Sequence, residues 1–446
     1  MKRQNTLRAT IIAGSLAIAA PGTTVAAMGH TAMTHGLLPS DVASAQAFSL
    51  FSDQASAVWY NPASLTRGPE GELTSGLLYA EPELRVESHG GTNAPQRDGD
   101  VLNDTPTEQV LIGMKTDLSR LIKSDHPVYF GFMAGVEKMG TEMMAFQSET
   151  SNEGQFFSYG RQPLFLNLGG GTNIWRGIDA GVAVRITLHA NATMETYSDL
   201  AGNTSREKLD VAAEPVMMPI VGFNIAMGET FCSVTPCWLD NLDTALVYKG
   251  YAKAQTNVEA NAIIPGTVPS PGLDLAISTL DSFQPEIITV GAQYRWNQYT
   301  FAFTAENQLW SRLDDQLQRD DVKAVADLRF EDTWIPRLGA SYQWNDSLKL
   351  TSGIAYEPSP LKDGRSPEIN YLDNDRIVIG LGGSLEIASP PILAHPLRLD
   401  FGYQYHHLDE RDFTLSGTAD NGDPYEEKVT ADGDVHAISG SLTIQF

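Results

Sequence analysis

The side chains in this 446-residue chain that could do chemistry are nine histidines, two cysteines and an excess of carboxylates. His30 and His35 lie near the N-terminus and His406–His407 near the C-terminus. Imidazole pairs ligate metals or move protons, but neither pair has the further ligands of a closed metal site nearby. Both pairs are read as ordinary. Cys232 and Cys237 flank Ser-Val-Thr-Pro. In an oxidising compartment they are expected to close a small loop through a disulfide, with free thiols as the alternative. Gly169-Gly170-Gly171 lacks the Lys-Ser/Thr of a phosphate loop and reads as strand glycines. There is no Gly-x-Ser-x-Gly elbow, and a serine with a distant histidine is no triad without geometry. Asp409, Glu410, Asp412, Asp420, Asp423, Glu426, Glu427, Asp432 and Asp434 crowd the segment 410–432 and its edges. They form either a solvated rim or a cation-bridged contact with lipopolysaccharide. No catalytic set, metal centre or cofactor is expected, and the chain is read as a non-enzyme.

The formal net charge of -25 argues against nucleic acid, whose phosphates need basic patches. Lys2, Arg3 and Arg8, the apolar run Ile11–Ala20 and the small residues Val25-Ala26-Ala27 form a secretory signal. Cleavage is expected after Ala27, with Ala26 as the nearest alternative. The apolar run is too short to span a bilayer as a helix, and no later run is long enough. The mature chain is therefore periplasmic, secreted or an outer-membrane barrel.

The elements that must position these residues repeat with period two. In 397–406, Leu397, Leu399, Phe401, Tyr403 and Tyr405 share one face, and Arg398, Asp400, Gly402, Gln404 and His406 the other. The same alternation runs through 178–188, 334–344 and 347–357. These strands often reach ten residues, longer than sandwich strands of about 5–6 and matched to membrane strands of about 9–11. Tyr294, Trp296, Tyr299 and Trp344 near strand ends suit an interfacial girdle. The reading is an all-β transmembrane antiparallel barrel of about fourteen strands. They fall near 72–86, 108–117, 127–138, 162–173, 176–190, 208–228, 241–257, 284–296, 299–312, 326–344, 347–358, 374–387, 396–409 and 433–446. Tight turns at 174–175, 297–298 and 345–346 alternate with long polar connections, as periplasmic turns and outer loops do.

Residues 40–60 break the alternation, with apolar residues at loosely helical spacing ended by Asn61-Pro62. Asp53-Gln-Ala-Ser-Ala-Val-Trp59-Tyr60-Asn61-Pro62-Ala63 resembles the hatch motif of the outer-membrane long-chain fatty acid transporter (FadL/TodX-like) family. Pro336-Arg-Leu-Gly-Ala-Ser-Tyr342, Gly353-Ile-Ala-Tyr356 and Asp373-Asn-Asp-Arg376 recur in that family's order. Tyr371-Leu372 stands where the family often has proline, a mild departure. The resemblance implies a partly helical N-terminal hatch plugging the lumen and passive uptake of fatty acids or hydrocarbons. It also implies lateral opening at a kink in the third strand, where Gly131 and Gly135 sit.

The expected organisation is a signal peptide over 1–27, a hatch over 28–70 and a barrel over 71–446. Gating falls to Asp53, Trp59, Tyr60, Asn61, Pro62 and Ala63. The connection 258–283 is expected to capture substrate. It carries Ile263 and Ile264, and then a short helix from Ser270-Pro271 with Leu273, Ile277, Leu280 and Phe283 on its apolar face. The final strand, with Leu442, Ile444 and Phe446 on one face, resembles the signal read by the barrel assembly machinery. Expected partners are the hydrophobic substrate, outer-membrane lipid and lipopolysaccharide, with the chain a monomer. The competing functions are a general diffusion porin and a non-transport surface protein.

Overall fold

The computed structural model describes residues 27–28, 31–96, 105–119, 121–122, 126–138, 144–146, 164–198, 204–233, 236–264, 268–317, 329–363, 370–418 and 423–446. Residues 1–26 of the expected signal peptide, His30 and the tips of several connections lie outside them.

Among the described residues, fourteen strands close into one antiparallel barrel. They are β1 (Gly71–Thr92), β2 (Thr107–Asp117), β3 (Val128–Lys138), β4 (Leu164–Trp175), β5 (Ile178–Ser198), β6 (Thr204–Ala226) and β7 (Leu242–Lys249). β8 (Glu286–Trp296), β9 (Tyr299–Leu309), β10 (Thr333–Gln343), β11 (Leu348–Glu357), β12 (Arg376–Ile387), β13 (Leu397–Thr418) and β14 (Pro424–Gln445) follow. Each pairs with the next, and β14 closes on β1 from Glu72↔Gln445 to Thr92↔Glu426. The sheet thus closes on itself, pairing strand backbone around the wall as strands that cross lipid require.

The faces decide the environment. On β1, Leu73, Leu77 and Tyr79 point out and are 50, 60 and 40 % exposed, while Glu72, Thr74 and Gly76 are buried in the lumen. The same inversion holds at Phe301 and Phe303 on β9 and at Leu399 and Phe401 on β13, all exposed, against buried Arg398, Asp400 and Gln404. A soluble sandwich would show the reverse, so this outer band faces lipid. Its aromatic lower edge is continuous: Tyr299 packs 4.8 Å from Tyr342 and 6.2 Å from Trp296, with Trp344 beside Tyr342. Among the described residues, no helix is long and apolar enough to cross a membrane.

The tight turns all lie at that edge. Gly177 and Asn297 take positive φ of 73° and 54° in two-residue hairpin loops. The first of these turns, Arg176–Gly177, lies two residues beyond its expected place.

Three expectations are corrected. Much of what reads as long polar connection is strand. β1, β13 and β14 each run 22 residues, so Asp412, Glu426, Glu427, Asp432 and Asp434 stand on paired backbone, while Glu410 falls in the register shift between Leu408 and Arg411. His406 likewise lies within a strand and not at its end. The segment 252–284 is a hairpin of strands Ala252–Ile264 and Val268–Gln284, with no helix after Ser270-Pro271. Leu273, Leu275 and Ile277 also alternate with polar or small residues, and strand partners in 252–264 favour period two over the helical face. Finally, β3 pairs with β2 from Lys138 to Tyr129 and with β4 from Val136 to Val128 without a register shift, so no kink opens the wall there.

Candidate functional site

Residues 31–67 fill the lumen. They form short turns of helix at Thr31–Thr34, Pro39–Ala43 and Ala57–Tyr60, joined by tight bends. Small residues make this possible: Ala43, Ala47, Ala55, Ala57 and Ala63 are all buried. Asp41 organises the first bend, its Oδ2 accepting from Leu38 N at 3.0 Å and its Oδ1 from Ser49 Oγ at 2.6 Å. Burial pushes the Asp41 carboxyl up to about 6. Ala45 and Gln46 both take positive φ, which costs non-glycine residues energy and persists only where surroundings enforce it. Here Gln46 Nε2 donates to Met33 O at 2.8 Å.

Asn61, the residue before proline, pins this hatch to the wall. Its Nδ2 donates to Leu50 O at 3.0 Å and to Asn224 Oδ1 on β6 at 2.8 Å, and its Oδ1 accepts from Ala63 N. Asn224 Nδ2 in turn donates to Ser64 Oγ at 2.7 Å. At the periplasmic rim, Lys115 Nζ donates to Asp53 O at 2.9 Å, and Ala55 N donates to the Glu72 carboxylate. Asp243 on β7 receives Arg67 of the hatch at 3.2 Å, Gln293 at 3.2 Å and Arg295.

The wall meets the hatch with glycine. A Cβ on Gly380 would lie 2.5 Å from Val42 O and 2.6 Å from Ala43 O; one on Gly339 would lie 2.8 Å from the Phe48 ring. A Cβ on Gly131 would lie 2.8 Å from Leu65 Cδ2. Side chains at Gly171, Gly181, Gly222, Gly353 and Gly402 would strike hatch backbone or Asn61. These glycines pair across strands, Gly171↔Gly181↔Gly222 on one side and Gly339↔Gly353↔Gly380 on another. Bare backbone on both partners gives the close approach that only glycine allows.

Beside this belt the hatch packs into an apolar cluster. Val58, Trp59 and Tyr60 pack with Leu111, Met133, Phe165, Met218, Ile220 and Val247. Two cations are tucked against the rings. Lys249 Nζ lies 4.1 Å from the Trp59 centroid, and the Arg185 guanidinium lies 5.2 Å from it and 4.4 Å from Phe165. Arg185 Nη2 also donates to Glu137 Oε1 at 2.9 Å. At the periplasmic end a cavity of about 310 Å³ separates the hatch from β8–β11, lined by Phe48, Phe51, Asp53, Arg67, Arg295 and Lys349 among others.

The expected site residues are thus dispersed in an informative way. Trp59, Tyr60, Asn61, Pro62 and Ala63 are buried in the lumen, and Asp53 is exposed at the cavity. Of the capture residues, Phe283 is buried against Trp310 at 6.2 Å, and Ile263, Ile264, Leu273, Ile277 and Leu280 lie on the hairpin strands. Cys232 and Cys237 are joined, with an S–S distance of 2.02 Å, between β6 and β7. Leu442 and Phe446 face outward. Sequence reasoning missed the glycine belt, Asp243 and a contact between two histidines it set aside. His35 Nδ1 lies 3.3 Å from His406 Nε2, which lies 2.8 Å from Gln404 Oε1, and burial holds the His35 imidazole down to about 3. Only the inward parity of His406 could have hinted at that pairing.

Comparison with known proteins gives concordant results. Residues 247–446 match the family model described as outer membrane protein transport protein (OMPP1/FadL/TodX). The chain is 49% identical over 450 residues to alkane uptake protein A of Marinobacter nauticus, covering 98% of this chain and 97% of that one. Its fold is similar to the solved structure of a Pseudomonas aeruginosa FadL homologue, with a TM-score of 0.62 at 14% identity over 92% of this chain and 98% of that one. The P. putida toluene transporter TodX gives a TM-score of 0.51 at 12% identity, over 93% and 99%.

Proposed function

Because this chain belongs to the OMPP1/FadL/TodX family of outer-membrane transport proteins, we propose that it carries aliphatic hydrocarbons, alkanes above all, through the lumen past a movable hatch. The protein is an outer-membrane β-barrel for uptake of hydrophobic compounds, hydrocarbons or fatty acids. The alkane is the finer step. It rests on the 49% identity to an alkane uptake protein along nearly the whole chain. The observation that carries it in the structure is the apolar cluster of Trp59, Phe165, Met133 and Met218 that fills the lumen against the hatch, with Glu137 pairing Arg185 beside it.

In this reading the hairpin 252–284 receives the substrate and the Asp53–Ala63 segment gates the lumen. The cavity beside β8–β11 is the way out to the periplasm, favoured over a lateral route by the unbroken ladders of β3. The outward row of Leu442, Ile444 and Phe446 serves the assembly machinery, and the chain works as a monomer among lipid and lipopolysaccharide. The test is uptake of labelled hexadecane against labelled oleate in a host lacking its own transporters and expressing the full chain. Hexadecane uptake above the empty host supports the reading. Oleate uptake alone would reassign the substrate, and large steady ohmic pores from purified protein would make it a porin.

A further inference from the structure

Six connections join neighbouring strands at the periplasmic edge. Three are the tight turns Arg176-Gly177, Asn297-Gln298 and Asn345-Asp346-Ser347, which carry no large apolar side chain. The other three, over 118–127, 227–241 and 388–396, are longer. Each presents an exposed apolar pair: Leu121 with Ile122, Phe231 with Trp238, and Ile392 with Leu393. These six side chains are 39 to 94 % exposed. Single exposed apolar side chains are ordinary on any protein, whereas pairs repeated on three connections mark a contact surface.

Each connection is braced by its own means. In 118–127, Leu121 N and Ile122 N both donate to Leu118 O, at 2.8 and 3.0 Å, and Leu118 N donates to Val128 O at 2.7 Å. In 227–241, a helical turn over Met227–Phe231 leads into the disulfide. Phe231 and Trp238 are thus each bonded to one of the joined cysteines, and Asp240 Oδ2 accepts from Cys237 N at 2.8 Å. In 388–396, Pro390, Pro391 and Pro396 restrict the backbone around Ile392 and Leu393.

The contacts that fasten these connections show which way they lie. Thr172 on β4 points out of the barrel, because its neighbour Gly171 meets the hatch, and its Oγ1 donates to Pro127 O at 2.8 Å. Thr244 on β7 points out, because Asp243 faces Arg67 of the hatch, and its Oγ1 donates to Met227 Sδ at 3.6 Å. The His395 ring packs edge-on against the outward Phe446, with centroids 6.3 Å apart. All three connections are therefore fastened to the lipid-facing side of the wall. They are the first, third and sixth of the six, so they are spread around the rim. A protein seated over the mouth would meet the lumen side, whereas lipid surrounds the barrel and meets the outer side everywhere.

We propose that these three connections are lipid anchors. Their apolar pairs sit in the periplasmic leaflet, at the boundary between phospholipid heads and acyl chains, and fix the depth of the barrel. The occupant is phospholipid because the fastening continues a surface already in lipid. The inference rests on the barrel's place in the membrane, whatever cargo it carries.

The experiment attaches an environment-sensitive fluorophore at Ile392→Cys in the purified full chain, whose own two cysteines are bonded to each other. The protein is held in nanodiscs of phosphatidylethanolamine and phosphatidylglycerol. Leu121→Cys is the second site, and Asp346→Cys in a tight turn is the aqueous control. Heat-shifted electrophoretic mobility reports folding. Emission from positions 392 and 121 should shift to the blue of position 346 and lose most of its quenching by iodide. It should also be quenched by phospholipid brominated at the upper acyl chain. The Trp238 emission, taken as the difference between unmodified and Trp238→Phe protein, should be quenched by the same lipid. Iodide reaching positions 392 and 121 as freely as 346, with no quenching by bromine, overturns the anchors. Protection from iodide that arises only when periplasmic extract is added also overturns them, and assigns the pairs to a protein.

Discussion

Gly380→Ala places one methyl group where the hatch backbone now runs. That Cβ would sit 2.5 Å from Val42 O and 2.6 Å from Ala43 O, against an ordinary contact of 3.4 Å or more. The hatch must therefore retreat by about 0.9 Å (3.4 less 2.5), since both obstacles are backbone and cannot rotate away. Retreat also strains the bond from Gln404 Nε2 to Val42 O, already 3.3 Å long. Overpacking of this kind costs about 1–3 kcal/mol, which multiplies the population with an unseated hatch roughly 5- to 150-fold. Gly353→Ala, at the cross-strand partner of Gly380, should add to the effect because its Cβ would strike Ser44 O. Gly440→Ala is the control, since nothing lies within 4 Å of a Cβ there. The barrel itself should fold. Planar-bilayer recording should show frequent openings in Gly380→Ala and in the double variant, few in Gly440→Ala, and amide exchange should quicken across residues 39–47. A folded Gly380→Ala protein with unmodified conductance and protection would refute the close-packed belt as what seats the hatch.

Three further outcomes are expected. Asn61→Ala removes the bonds to Leu50 O and Asn224, and should weaken hatch seating by about 1–3 kcal/mol; Asn224→Ala should give the same proteolytic sensitivity, and the double variant little more. Asp243→Asn should loosen the rim that holds Arg67, Gln293 and Arg295 together, seen as faster exchange around residue 67 that 1 M salt no longer enhances. For pH, two hatch groups act in opposite senses. Seating raises the Asp41 carboxyl from 3.8 to about 6, so seating strengthens as pH falls from 6 towards 4. It lowers His35 from 6.5 to about 3, so seating weakens as pH falls below 6.5. His406, buried against His35, acts in the sense of His35, so between pH 6 and 4 the two histidines oppose Asp41 in the unmodified protein. His35→Gln should tighten its hatch on acidification and Asp41→Asn should loosen, as read by hatch proteolysis; parallel profiles for the two variants would refute the assignment.

The wall was legible because a lipid-facing strand must alternate and must be long. Each of the fourteen barrel strands overlaps a strand expected from the sequence. The hatch was legible because Asp53–Ala63 refuses to alternate and stops at Asn61-Pro62. What escaped has a common physical cause. Gly353 and Ser44, His35 and His406, or Asp243 and Arg67 meet only when the chain closes on itself, and no local period encodes the meeting. The helix expected after Ser270 failed for another reason. Its apolar residues fit two periods, and only the partner strand in 252–264 decides between them.

The 22-residue strands have a consequence for the shape of the mouth. At about 3.3 Å per residue and a tilt near 40°, such a strand rises roughly 55 Å along the barrel axis, about twice the apolar band of an outer-membrane barrel. On β1 the outward residues change from Leu77 and Tyr79 to Glu81, Glu83 and Arg85 at the lipid boundary, and the paired backbone continues to Thr92. β5, β6 and the hairpin 252–284 rise on another arc of the wall. Two arcs of paired strand therefore stand clear of the lipid heads while the strands between them stop lower, so the mouth of the barrel is raised on two sides.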